Sequence, residues 1–272
     1  MNLFSKKATI LIGAAVIYFQ SQIAAGKMPE AAAQRSANPA SHLVATGETE
    51  VMEVAKKITV HIKRYSLSPQ PVFAGSGVII ARSDKTYYVL TAKHVVELED
   101  LYEVITPDGK RHRVEYSKIT KVAGTLDLAV LQFTSNSDDE YEIARLGNSD
   151  RLSPDTPIYL SGWTKSEQKY KFTSGEIMEI RKDGTEEKER QRLAREGYSL
   201  IYSNNAENGM SGGPLLNKDR CLMGTHGIRR VIQGWKNEEG NRNRYLGIPI
   251  NNFVNNLPQT IKWRSLQRNS CP

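Results

Sequence analysis

The chain has 272 residues, 39% hydrophobic and 25% charged, with a formal net charge of +7. That is ordinary globular composition for one or two domains with a sizeable core, which excludes general disorder. The basic balance allows acidic partners, but Lys and Arg are dispersed. There is no basic stripe with interleaved aromatics and no helix-turn-helix or RNA-binding motif, so no nucleic-acid partner is expected.

Lys6 and Lys7 precede the apolar run ATILIGAAVIYF, followed by the small residues Ala24, Ala25 and Gly26. A charged start, a short apolar run and small residues read as a secretory leader over 1–25, cleaved after Ala25. The run is shorter than the ~20 residues of a spanning helix, so no stable membrane span is expected unless this segment stays uncleaved as an anchor. The expected location is secreted or periplasmic. Residues 26–50, rich in Ala, Pro, Ser, Gln and Glu, read as a linker, and VMEVAKK (51–57) as a short helix.

Beyond that the pattern turns to short β-branched and aromatic runs: ITVHI, GSGVIIA, TYYVLTA, LAVLQF, PIYLSGW, LIYSN, CLMGTHG and YLGIPI. Turn residues separate them at Pro69–Pro71, Ser83–Asp84, Pro107–Gly109 and Asp183–Gly184. Many short strands without strand–helix alternation predict an all-β fold. EEKERQRLARE (186–196) breaks the rhythm with strong helix formers and reads as a solvated helical insertion. Cys221 and Cys271 are the two cysteines of the chain. Their number and spacing fit neither a disulfide scaffold nor a metal site; they either pair, tying the tail to a strand, or stay free.

Three residues stand out from this background. His94 follows a good strand in YYVLTAKHVV, where a scaffold can present an imidazole to a cleft. His42, His61 and His112 read as linker, strand and surface residues. Asp127 opens the apolar strand TLDLAVLQF, and a carboxylate there needs donors such as an imidazole N–H. Ser211 lies in ENGMSGGPLL among Gly209, Gly212, Gly213 and Pro214. Glycines and a proline at that density suit a tight bend with outward backbone N–H groups. A serine hydroxyl attacks well only when a base takes its proton, and a carboxylate-held imidazole is that base.

TAKH, DLAVL and GMSGGPL, in the order His94, Asp127, Ser211, resemble the chymotrypsin-type serine proteases, closest to the bacterial branch with the glutamyl endopeptidases and the HtrA protease domains. GSGVII fits the same branch, and the resemblance covers about residues 50–257. It implies two antiparallel six-stranded β-barrels, about 51–150 and 151–257, with the active site in the cleft between them and a tail over 258–272. It implies a serine endopeptidase acting on protein or peptide substrates, with no metal or organic cofactor. His94 would be general base, Asp127 would orient it, Ser211 would be the nucleophile, and the N–H groups of Gly209 and Ser211 would form the oxyanion hole. Asn205, Thr225, His226 and Gly227 would shape the specificity pocket. His226 matches a histidine that contacts a substrate glutamate in the glutamyl enzymes, although Ala206 departs from the hydroxyl residue usual beside it. Met210 stands where digestive members carry the Asp of their activation switch, so no such switch is expected. The rival reading of GMSGG as a nucleophile elbow fails on order, since that fold needs Ser, acid, His, and His226 is only fifteen residues on. A catalytically silent binding module and an esterase on the same fold remain alternatives.

Overall fold

The computed structural model describes residues 39–66, 71–135, 139–181, 188–229, 244–257 and 271. The expected leader, the first part of the linker, the turns at Pro69 and Asp183–Gly184, and the tail over 258–270 lie outside the described residues. In chain order, helix α1 (Pro39–Ile58) leads into β1 (Thr59–Tyr65), β2 (Val72–Ser83), β3 (Thr86–Thr91), β4 (Leu101–Ile105), β5 (Arg111–Val114), β6 (Ile119–Lys121) and β7 (Ala129–Thr134). Then follow β8 (Arg145–Leu146), β9 (Pro157–Trp163), β10 (Tyr170–Ile180), α2 (Lys188–Arg195), β11 (Leu200–Tyr202), β12 (Pro214–Leu216), β13 (Cys221–Arg229), β14 (Tyr245–Pro249) and α3 (Ile250–Asn255).

The strands make the expected pair of antiparallel barrels, and the two differ in closure. The second sheet runs β12-β9-β10-β11-β14-β13, and β13 pairs back onto β12, which closes a six-stranded barrel; β8 adds to its edge in parallel with β13. The first sheet runs β5-β4-β1-β2-β3-β7-β6 and curls without a pairing between its ends among the described residues. Its end strands are short, four residues in β5 and three in β6, so little ladder is available to seal that seam.

Three apolar clusters follow from this arrangement. One fills the first sheet around Val60, Ile79, Tyr87, Val104 and Leu131. One fills the closed barrel around Ile158, Leu160, Tyr202, Met210 and Leu215. The third joins the two, bringing Val78 and Val130 of one sheet against Ile201 and Leu246 of the other. Val51, Ala55 and Ile58 of α1 enter this third cluster at the i, i+4, i+7 spacing of one helix face. Each fully buried aliphatic side chain of this kind stabilises by about 2 kcal/mol. The helix therefore begins at Pro39, where composition indicates a linker through residue 50. Docking of 51–58 supplies a nucleus, and upstream propagation then adds one hydrogen bond per residue fixed.

The insertion also differs from expectation. Its α2 helix is present, but Leu193 is buried in the central cluster, so it is packed rather than a solvated excursion. Cys221 and Cys271 form a disulfide, which fixes residue 271 to β13. No helix among the described residues is long and apolar enough to cross a membrane.

Candidate active site

Residues of both barrels line one cleft of about 840 Å³, including His94, Asp127, Ser211 and Gly227 together with Arg192, Arg195 and Glu196 from α2 and its end. His94 sits in a single 3-10 turn, Lys93–Val96, directly after β3. Buried Ala92, Val95 and Val96 anchor that turn in the first sheet's core, which leaves the His94 ring partly exposed. Asp127 lies two residues before β7 and is 5% exposed. Its two oxygens have separate partners on His94: Oδ1 accepts the backbone N–H at 2.8 Å, and Oδ2 accepts the ring at Nδ1 at 2.6 Å. An ionised carboxylate only accepts, so Nδ1 carries the proton and Nε2 is the ring's acceptor. Burial alone would raise the Asp127 pKa. The His94 ring, the Tyr198 hydroxyl and the His94 N–H overcome that, and the carboxyl lies below its usual range.

Ser211 lies between two left-handed glycines of one bend, Gly209 at φ +103° and Gly212 at φ +86°. A Cβ on Gly212 would lie 2.1 Å from both Ser76 O and Thr91 Oγ1, so only glycine fits there. Within this turn the N–H groups of Met210, Gly212 and Gly213 are used internally, on Glu207 O, His226 O and Met210 O. Among the described residues, those of Gly209 and Ser211 have no intramolecular acceptor. The Ser211 hydroxyl itself donates to Gly227 O at 2.8 Å rather than to His94.

Ser76, in the GSG stretch of β2, holds this turn from the opposite barrel. Its N–H donates to Ser211 O at 2.8 Å, its hydroxyl donates to Gly209 O at 2.9 Å, and it accepts the Trp163 N–H at 2.8 Å. The motif GSGVII points to this stretch, but nothing in the sequence indicates the tie to the serine turn. Met210 is fully buried in the closed barrel's core, far from the environment of an ion-paired residue.

A family model described as trypsin-like peptidase domain matches residues 75–224, which runs from the GSG of β2 through the serine turn into β13. The chain belongs to the trypsin-like peptidase family. It is also similar to human Serine protease HTRA4, with 28% identity over 162 residues, covering 58% of this chain and 31% of that protein. The chain thus spans about a third of the length of the curated relative it matches. Both likenesses support serine-protease chemistry in general terms.

Of the four residues expected to shape a specificity pocket in this trypsin-like domain, Gly227 alone lines the cleft. Asn205 is exposed outside it, and its neighbour Asn204 is the buried one, donating to Ile158 O and Thr173 O. Thr225 and His226 are each 2% exposed. The His226 ring is bonded at Nδ1 to the Tyr202 hydroxyl and meets the Tyr245 ring edge-on. Burial, with a smaller effect from nearby His94, depresses its pKa to about 3, so it is a neutral imidazole at working pH. Among the described residues no group of three His, Cys, Asp or Glu side chains is placed to hold a metal ion.

Proposed function

We propose that the chain is a serine endopeptidase in which Ser211 is the nucleophile, His94 the general base and then acid, and Asp127 the group that orients His94. The observation that carries this reading is the His94–Asp127 pair, which fixes the ring tautomer and turns Nε2 to a cleft shared with Ser211. Attack requires the Ser211 hydroxyl to turn from Gly227 O to Nε2. The carbonyl it leaves is then able to accept a peptide N–H from the substrate. Nε2 takes the hydroxyl proton as the Ser211 oxygen bonds to the scissile carbonyl carbon, and Asp127 stabilises the imidazolium. The carbonyl oxygen becomes an oxyanion. The N–H groups of Gly209 and Ser211 are the donors for it, because the turn leaves those two unspent. Losing one such donor typically costs ~10²–10³ in rate. His94 returns the proton to the leaving amine, and water repeats the sequence on the acyl-enzyme.

The leader-like N-terminus supports export to a secreted or periplasmic location, and the Cys221–Cys271 pair supports an oxidising compartment. A silent binding module is favoured by one observation, the resting bond of the Ser211 hydroxyl to Gly227 O. Fluorophosphonate labelling separates the two. A single adduct mapped to Ser211, lost in Ser211→Ala together with peptide hydrolysis, is expected. A folded chain that never labels overturns the peptidase reading. Turnover of esters but not peptides would convert it to an esterase.

A further inference from the structure

The end of the α2 insertion comes back to Asp127 from the other barrel. The Tyr198 hydroxyl donates to Asp127 Oδ2, the same oxygen that accepts the His94 ring. Beside it, the Asp127 N–H donates to Glu196 O at 2.9 Å, and the Thr125 hydroxyl donates to Arg195 O. Three links therefore run from residues 195–198 to residues 125–127. The segment is itself fixed. Leu193 is in the central apolar cluster, Gly197 turns it at φ +91°, Tyr198 N–H bonds to Leu193 O, and Asn252 of α3 donates to Gly197 O at 3.2 Å.

The Tyr198 ring occupies a space that only one residue type on β13 leaves open. A Cβ on Gly227 would lie 2.0 Å from the ring and 2.4 Å from its hydroxyl. Gly227 thus has two duties: its carbonyl meets the Ser211 hydroxyl, and its missing side chain admits the phenol to Asp127. The phenol is 2% exposed, and burial together with the Asp127 charge pushes its pKa far up. It stays protonated, so it is a donor at every working pH.

The geometry points to Tyr198 as a positioning residue that, lodged against Gly227, holds the Asp127 carboxylate in line with the His94 ring. The His94 N–H already holds Oδ1, and a rigid second donor on Oδ2 fixes the oxygen that faces the His94 ring. A hydrogen bond to a charged group is also among the stronger kinds. The inference rests on the peptidase reading for its kinetic consequence but not for its geometry, and the test keeps the two apart.

The test compares the full chain with Tyr198→Phe, which keeps the ring and removes only the hydroxyl. Wild-type labelling at Ser211 is measured first, since its absence overturns the peptidase reading and leaves the spectroscopic arm intact. In that arm the low-field proton resonance of His94 Nδ1–H is expected to move or to broaden by faster exchange in Tyr198→Phe. In the kinetic arm kcat is expected to fall about ten-fold with KM little changed, the pattern of an interaction that matters in the transition state. A variant that loses stability while keeping both the resonance and kcat has lost a structural bond only, and the proposal is overturned. Should Tyr198→Phe fail to fold, the wild-type chain still decides: a Tyr198 hydroxyl proton that exchanges as fast as that of an exposed tyrosine overturns the proposal, and a slow one supports it.

Discussion

The serine turn and the aspartate loop are each gripped by the barrel they do not belong to, and the two grips are of different kinds. The turn around Ser211, from the closed barrel, is held by the N–H and hydroxyl of Ser76 of β2, with Gly212 pressed against Ser76 O and Thr91. The loop around Asp127, from the curled sheet, is held by Glu196 O and by one side chain, Tyr198. The first grip joins hydrogen bonds from Ser76 to a steric fit that depends on the missing side chain of Gly212. The second rests on hydrogen bonds, of which one, from Tyr198, reaches the carboxylate itself. A steric grip should fail abruptly and a chemical one by degrees.

The largest expected effect tests the steric grip. Gly212→Ala puts a Cβ where two oxygens already sit and forces a left-handed alanine, so it is expected to destabilise by at least ~3 kcal/mol and to abolish labelling. Urea denaturation and fluorophosphonate labelling measure both; a stable, active Gly212→Ala would mean the turn is slack. On the other side, Asp127→Asn leaves the volume unchanged but removes the acceptor for His94 Nδ1–H. Activity is expected to fall ~10⁴-fold while the melting midpoint moves little by comparison. A ten-fold loss or less would show that Asp127 does not orient the base.

The tail offers a third comparison, a grip that is covalent. Breaking the Cys221–Cys271 bond with Cys271→Ser releases a closed loop with a sequence separation of 50. Loop entropy then predicts a loss of about 4 kcal/mol as an upper value, with kcat at 25 °C unchanged. Thermal melting with and without reductant measures it, and a kcat that follows the bond would tie the tail to the cleft.

Protonation acts on both barrels more gently. His226, in the closed barrel, and His61, buried against Phe73 and Trp163 in the curled sheet, both have their pKa depressed by burial to about 3 from 6.5. Folded-state values below the unfolded ones mean that the unfolded chain binds more protons between those limits. Their stabilisation is therefore complete above about pH 6.5 and is lost as pH falls toward 3, with a slope of about 1.4 kcal/mol per pH unit for each histidine. Denaturation midpoints between pH 8 and 5 check this; half the slope would mean that one of the rings is wet, and a flat profile that both are. The smallest effect belongs to the exposed Arg192–Glu196 pair at 2.8 Å on α2. Arg192→Gln is expected to cost less than about 0.5 kcal/mol and to leave kcat unchanged. A large kinetic effect there would show that α2 does more than brace Tyr198.

How much of this could be read in the chain follows the same division. TAKH, DLAVL and GMSGGP carry local constraints: a strand end, an acid opening an apolar run, glycines at positive φ. Local constraints leave local letters, and the two-barrel fold was legible from them and from the β-branched runs. Strand β10 was not, because YKFTSGEIMEI has no clean alternation; Gly175 within it is small because Asn204 packs onto it. The first half of α1 was not, because its helicity depends on the docking of Val51, Ala55 and Ile58 further along. Tyr198 left no sign at all, since its partner lies 71 positions away and its space depends on Gly227. The buried setting of His226 was hidden likewise by Tyr202 and Tyr245.

The crosswise hold also orders events during translation. His94 and Asp127 leave the ribosome well before Tyr198 and Ser211, and the closed barrel is sealed only when β14, the last strand, pairs with β11 and β13. A nascent chain that ends with the first sheet thus carries His94 and Asp127 without Ser211. On the peptidase reading, the nucleophile is thus the last of the three groups to be made, in the half of the described chain that β14 closes.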